Sequence, residues 1–451
     1  MSLMEANRIK FSSRDAISSF PDEILARILL FLPTKQAIIT CLLSKRWRNL
    51  FPLMIHLFGS QHRFDIDDSD LVDPEKTCKR ESKVVHQSFK DFVDKTLFGF
   101  TSIKKLSLKR QNVLTGLDLT EQWIRNALER GLVDLDLRLY TSLAHEARHL
   151  PSSVFSNKTL VKLTLGLDLG DHRRLYPKVF LPMLKSLFIH EVWFRGEGLC
   201  RLMLPNCPIL EELALHCLCG KPDGLVEPFF ISHKTLKRLT VHYNNCLKSS
   251  RFMRFNTPSL VSFNYSGFAP ILNLSDSFLD SLIEAKLDVH THENYDVYSH
   301  LYSKTINGMC NVKTLSLSSA SAKVMYSSSK ELTSFLNLVK LCFESNTKEG
   351  WKVLPRLLIN SPKLEILVLK GLHCIRNQGV TINKNEMKVL RIYEFRGSVR
   401  ELSQVKYFLW EMKILQVMKV EIDADDNKKL QIMSHLLALP KRSSKCQIEF
   451  L

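Results

Sequence analysis

The densest grouping of residues able to do chemistry is Cys200, Cys207, His216, Cys217 and Cys219. Thiolate and imidazole are ligands that zinc takes, but the C-x6-C-x8-H-C-x-C spacing matches no standard finger. Cys207 precedes Pro208 at a junction whose counterpart elsewhere in the chain is Ser361, so small residues in the turns of a repeat are the favoured reading. No phosphate loop, G-x-G-x-x-G, G-x-S-x-G or H-E-x-x-H occurs. Sixteen glycines in 451 residues are few for phosphate cradles or sharp nucleophile turns, which use glycine for its backbone freedom. Nothing singles out one cysteine as a covalent nucleophile. The expectation is a chain that is not an enzyme and uses no cofactor and no metal.

What the sequence does carry is repetition. An apolar residue, two others, an apolar residue, one other and an apolar residue recur as Ile103-Leu106-Leu108, Leu132-Leu135-Leu137 and Leu160-Leu163-Leu165, and so on to Leu415-Met418-Val420. Thirteen such units start 22 to 30 residues apart, around the period of leucine-rich repeats. Asn206, Pro208, Leu210, Glu211 and Leu213 align with Asn360, Pro362, Leu364, Glu365 and Leu367. The last apolar pair of each unit belongs on a short strand with both side chains inward. No unit buries its own apolar face, so neighbours must stack into a solenoid with a parallel sheet on its concave side. The segments between strands are expected outside, partly helical. Asparagine is mostly missing after the strands, so the units are irregular.

Charge bears on partners. The chain holds 63 Lys+Arg against 46 Asp+Glu, a formal +17, which invites acidic partners without choosing among them. Of the positions flanking the strand leucines, ten are basic, among them Lys105, Lys109, Arg138, Lys162, Arg238 and Arg391. Seven are acidic and interrupt the row, including Asp134, Asp136, Glu212, Glu284 and Asp288. A groove that tracks phosphates needs a dense basic stripe with interleaved aromatics. The positions therefore read as candidates for facing a protein target, and nucleic acid is disfavoured. Trp193 and Trp351 lie beyond strands, where filling the core is favoured over rimming a pocket. The eleven cysteines form no C-x-x-C pair, which suits a reducing compartment. The opening MSLMEANRIKFSSRD lacks an apolar leader core, and no apolar run reaches a membrane span. A soluble protein of cytoplasm or nucleus is expected, with no membrane partner.

The elements that open the chain are different in kind. Pro21 fits a first helical turn, and Asp22 and Glu23 suit a helix N-terminus. Ile24, Leu25, Ile28, Leu29 and Leu32 draw one apolar stripe, which Pro33 ends. Thr34 can cap a second helix and Ser44 a third. Three helices in so few residues cannot bury all their apolar side chains among themselves, so the surplus must meet something else. Residues 59–83 are acidic and irregular and read as a linker, followed by a cap helix over 84–97 that includes Phe89 and Phe92. Near the C-terminus, Val399, Leu402, Val405, Leu409 and Met412 mark an amphipathic helix. Leu430, Met433, Leu436 and Leu437 mark another, and Cys446-Gln-Ile-Glu-Phe450 alternates as a closing edge strand.

FPDEIL, LPTKQAI and LSKRWRNLF together resemble the F-box of plant proteins, with Phe20 where the family usually has Leu. The run VLRIYEFRGSVRELSQVKYFLWEMKILQVMKVEI and the closing LALPKRSSKCQIEF resemble the plant FBD domain. The resemblance implies an F-box at 15–58, a linker and cap helix at 59–96, leucine-rich repeats at 97–370 and an FBD-type cap at 371–451. The fold class is then α/β: a three-helix F-box, an irregular leucine-rich-repeat solenoid and a C-terminal cap. The family role implied is a substrate receptor that docks on a Skp-type adaptor, and through it a cullin, and presents a target protein for ubiquitination. The adaptor-facing residues implied are Phe20, Pro21, Ile24, Leu25, Ile28, Leu32, Pro33, Ser44, Arg46 and Trp47. The alternatives are an interaction scaffold without ubiquitin transfer or, less favoured, a basic nucleic-acid-binding solenoid.

Overall fold

A computed structural model describes residues 17–40, 43–58, 63–67, 94, 103–110, 117–139, 151–167, 179–192, 201, 203–217, 229–243, 252–268, 271–272, 279–290, 308–328, 334–375, 380–381 and 387–451. The chain forms two compact units. The first comprises Met1–Ala144 and Leu150–Leu167, the second His145–His149 and Asp168–Leu451.

In the first unit, helices α1 (Asp22–Leu29), α2 (Thr34–Ile39) and α3 (Lys45–Phe58) precede strands β1 (Arg63–Asp67) and β2 (Lys105–Arg110). Helix α4 (Leu117–Glu129), β3 (Asp134–Leu139), helix α5 (Ser152–Phe155) and β4 (Lys162–Leu167) follow. The four strands are parallel neighbours in sequence order. Phe64, Leu106, Leu135 and Leu163 share one register line, and Ile66, Leu108, Leu137 and Leu165 the next. All eight are buried. Between β2 and β3, α4 turns Trp123, Ile124, Ala127 and Leu128 inward, and Trp123 Nε1 donates to Asp94 at 2.7 Å.

Strand β1 corrects the reading of residues 59–83 as linker. Phe64 and Ile66 do alternate, but with Asp65 and Asp67 between and after them only two side chains point inward, too few for the pattern to show. The expected cap helix over 84–97 lies outside the described residues, apart from Asp94.

The second unit repeats the plan through β5 (Ser186–Val192), β6 (Glu212–Cys217), β7 (Phe229–Ser232), β8 (Arg238–Tyr243), β9 (Phe252–Asn256), β10 (Ser262–Phe268), β11 (Ile271–Leu272), β12 (Glu284–His290) and β13 (Thr314–Leu317). Next come α6 (Ser319–Ser328), β14 (Lys340–Glu344), α7 (Lys348–Trp351), α8 (Leu354–Ile359), β15 (Ile366–Lys370) and β16 (Val389–Phe395). It closes with α9 (Val399–Glu411), β17 (Val417–Ile422), α10 (Asp426–Leu437) and β18 (Gln447–Phe450). Its main sheet runs β5-β6-β8-β10-β12-β13-β14-β15-β16-β17-β18, all parallel. Every one of the thirteen units read from the sequence carries a strand of one or other sheet.

Register is held by the apolar period and by a second device before most of the main-sheet strands. There a backbone N–H reaches the preceding repeat: Lys237 to the Glu211 carbonyl at 2.8 Å, Val261 to Lys237 at 2.8 Å, Lys313 to Ile283 at 2.8 Å and Gln416 to Lys388 at 2.8 Å. Hydroxyls just ahead of the strands add side-chain bonds to the preceding repeat. Thr235 Oγ1 donates to the Leu210 carbonyl at 2.7 Å, Thr159 Oγ1 to Leu132 at 2.8 Å and Ser443 Oγ to Leu415 at 2.6 Å. Each satisfies a carbonyl that the stacked repeats cut off from water.

The segments between main-sheet strands are not uniformly helical. Strands β7, β9 and β11 form a separate parallel three-stranded sheet, and its Phe255 packs edge-on to Phe263 of β10 at 5.5 Å. At the C-terminal end, α9 begins with a capping box: Glu401 N–H donates to Ser398 Oγ at 3.3 Å and Ser398 N–H to Glu401 Oε2 at 2.8 Å. Val405, Leu409 and Met412 are buried as the spacing predicts. Val399, Leu430 and Leu437, expected on the apolar faces, are exposed.

Candidate docking surfaces

Helix α1 divides its apolar stripe between two faces. Leu25, Ala26 and Leu29 are buried, as are Leu50, Phe51, Met54 and Ile55 of α3. On the other side Phe20, Ile24 and Ile28, spaced by four residues, stay 43%, 43% and 42% exposed. Ile17, Phe31, Ile39 and Leu43 extend this exposed apolar set. Leu25, included among the adaptor-facing residues, is therefore corrected: it is wholly buried and holds α1 in place.

The polar residues around this ridge position it. Arg46 donates from Nε to Asp22 Oδ1 at 2.7 Å and from Nη2 to the Phe20 carbonyl. The start of α3 is thereby fastened to the start of α1, beside Phe20. Ser44 Oγ accepts the Trp47 N–H at 3.3 Å, the cap its position predicts. Thr34 has a further partner beyond the helix it is expected to cap. It is the first residue of α2, is buried, and its Oγ1 accepts the Asp65 N–H of β1 at 2.9 Å. Pro21 and Pro33 are exposed and Leu32 and Trp47 are half-buried.

An isolated domain rarely leaves so continuous an apolar ridge in water, since each such side chain gains about 1.5–3 kcal/mol on full burial. The F-box domain family matches residues 17–54, the same helices. Over the full length, the putative F-box/LRR-repeat protein At5g25860 of Arabidopsis thaliana is 56% identical across 450 residues, covering 99% of this chain and 100% of that relative. The chain belongs to the plant F-box/LRR-repeat family. The family described as FBD-associated F-box protein At5g56370, LRR repeats, matches residues 120–264 of this F-box/LRR-repeat chain. The Arabidopsis thaliana F-box/LRR-repeat protein At3g60040 is 39% identical over 463 residues, covering 97% of each chain.

The sheet faces of this F-box/LRR-repeat protein are the second surface. Several of their basic residues meet acidic neighbours: Lys109 meets Asp67 at 4.0 Å, Arg138 meets Asp136 at 3.1 Å and Arg238 meets Glu212 at 3.4 Å. Lys419 meets Glu449 at 2.6 Å. Lys370 lies 3.2 Å from Glu394 and 3.6 Å from Glu344, and its hydrogen bond to Glu394 raises its pKa. Lys105, Lys162 and Arg391 are half-buried on the same faces.

Of the cysteine–histidine grouping, the side chains of Cys207 and His216 fall among the described residues. Cys207 is buried, its thiol donates to the Met203 carbonyl at 3.3 Å, and burial pushes its pKa up to about 12. His216 lies on the β6 sheet face between His190 and His242, with ring centroids 4.7 and 4.5 Å away. Cys200, Cys219 and the Cys217 side chain lie outside the described residues. Among the described residues, no three His, Cys, Asp or Glu side chains converge as a metal site. Trp351 is buried against Phe343 at 5.5 Å, a core role, and Trp193 lies outside the described residues. Among the described residues, no helix is long and apolar enough to cross a membrane.

The histidine stack escaped the sequence reading because each member looks solitary. Its signal was the spacing: 190, 216 and 242 are separated by 26 residues, as are the repeat starts Leu184, Leu210 and Leu236.

Proposed function

We propose that this chain is the non-catalytic substrate receptor of a Skp-cullin-F-box-type ubiquitin ligase. The observation that carries the reading is the exposed ridge of Phe20, Ile24 and Ile28 on helices whose own core is already filled. A Skp-type adaptor covers that ridge together with Pro21, Leu32, Pro33 and Trp47, while Ser44 and Arg46 hold it in shape. The repeats hold a target protein on their sheet faces. Ubiquitin transfer is done by other subunits, and this chain contributes proximity: a target lysine meets the charged conjugating enzyme at high effective concentration. Cysteines without a C-x-x-C pair fit the cytoplasm or nucleus as its place of work.

The test is the double substitution Ile24→Asp, Ile28→Asp, which places two carboxylates on the ridge and leaves Leu25 and Leu29 untouched. The expected result is a folded chain that no longer co-purifies with the adaptor. Retained co-purification would overturn the proposal. An interaction scaffold without ubiquitin transfer predicts instead that a partner's abundance is unchanged when this protein is removed.

A further inference from the structure

The sheet face of the second unit is not uniform, and one stretch of it is nearly free of charge. Three outward positions on each strand define it. On β5, β6, β8 and β10 the middle row is Phe188, Ala214, Thr240 and Asn264, in mutual register. The next row is His190, His216, His242 and Ser266. Among the described outward positions of these four strands, the formal charges fall in the remaining row, Ser186, Glu212, Arg238 and Ser262, and these two are paired with each other. Arg238 lies 3.4 Å from Glu212, whose other contact is Ser186 Oγ at 3.2 Å. The character changes at β12, where all three outward positions, Glu284, Lys286 and Asp288, are charged.

Two of the three imidazoles, His216 and His242, are shifted toward the neutral form. Burial, with smaller contributions from His190 and His242, pushes His216 down to about 4. Burial also lowers His242, helped by Lys286 and opposed by Asp288. Other charged or titratable groups around the stack are Glu212, Arg238 and His290. His290 Nε2 sits 3.4 Å from Asp288, which also accepts from Ser266 Oγ at 3.0 Å. The rings meet edge to face, so each shields part of its neighbour from water.

We propose that this window is the target-docking site, and that it takes a peptide segment without charged side chains, built from aromatic and amide groups. The inference rests on the receptor reading above and names the chemistry of the target. Charge complementarity decides the occupant. A carboxylate or ammonium laid on the middle row or on the imidazoles would lose its water against Phe188, Ala214 and the ring faces, while Arg238 is already paired with Glu212, so its desolvation is poorly compensated. An aromatic ring stacks on Phe188 and the imidazoles. A side-chain amide donates and accepts one hydrogen bond each, which a neutral imidazole and the Thr240 and Asn264 groups reciprocate. Interface centres in general are depleted of charge and enriched in aromatics. Four strands make the window roughly 15 Å wide, the reach of about four extended residues.

Random peptides displayed on phage, selected against the full-length chain immobilised by a terminal tag, test this. Tag capture makes the result independent of adaptor binding, so the two proposals can fail separately. His216→Lys and Asn264→Lys put a charge into the window at two places, and His216→Phe keeps it aromatic and neutral. Circular dichroism of each variant reports whether it is folded, and Asn264→Lys serves if His216→Lys is not. The expected result is enrichment of peptides poor in Asp, Glu, Lys and Arg. Their binding falls at least about tenfold with either Lys substitution, stays within about threefold with His216→Phe, and changes little with salt. Enrichment of acidic or basic peptides, binding indifferent to both Lys substitutions, or no enrichment at all would each overturn the proposal.

Discussion

Helix α1 and the repeat strands are built from the same side chains and use them in opposite ways. On β13 to β15, Leu315, Leu341 and Leu367 share one register line and are fully buried, because each repeat supplies the cover for the next. On α1, Leu25 and Leu29 are buried equally well, yet Ile24 and Ile28 one position earlier are not. The repeat sheet spends its apolar face inward and shows water a face of paired charges and polar groups. The F-box helices fill a core and still have apolar surface left. A stripe that is complete in its own context is structural, and the one left half-covered is the surface that the proposed function assigns to the adaptor.

The largest effect separates the two uses directly. Leu341→Ala or Leu367→Ala opens a cavity between stacked repeats and is expected to cost about 2–5 kcal/mol, read as a lower denaturant midpoint. Ile24→Asp with Ile28→Asp comes next: stability is expected to move by less than about 1 kcal/mol, while adaptor affinity falls about a hundredfold or more in a binding titration. A double mutant that unfolds would erase the distinction drawn here. Arg46→Ala is smaller. Its ion pair with Asp22 is half-exposed, so the expected loss is about 1 kcal/mol or less, appearing in adaptor affinity more than in stability because the clamp sets the Phe20 end of the ridge.

The smallest effect at neutral pH concerns the histidine stack. His216 is held near 4 in the fold and returns toward 6.5 when the chain unfolds. Below pH 6.5 the unfolded chain takes up a proton that the folded chain refuses, so stability falls as pH drops from 6.5 toward 4. His216→Phe should flatten that slope in a series of thermal melts, leaving the curve above pH 7 unchanged.

How much of this was legible beforehand follows from the number of side chains that repeat a signal. Thirteen apolar triplets in phase reported one strand each, and the closing strand at Gln447–Phe450 showed in its alternation. Strand β1 did not, since Phe64 and Ile66 alone carry it within an acidic stretch. Strands β7, β9 and β11 did not either, because the segments between repeats obey no shared period. On α1 the periodicity located the stripe but could not tell Ile24 from Leu25: which edge is covered depends on where α3 lies. Arg46 illustrates the same limit, since its partners, Asp22 and the Phe20 carbonyl, are more than twenty residues away in sequence.

The central claim is that the ridge on α1 is open in this chain and is closed by a second polypeptide. Footprinting with a photoactivated carbene reads it most directly, by the labelling of Phe20, Ile24 and Phe31 in the full-length chain alone and with a Skp-type adaptor. The account predicts strong labelling alone and protection once the adaptor is bound, with Leu25 unlabelled throughout. Protection in the chain alone, or labelling that the adaptor does not change, would contradict it.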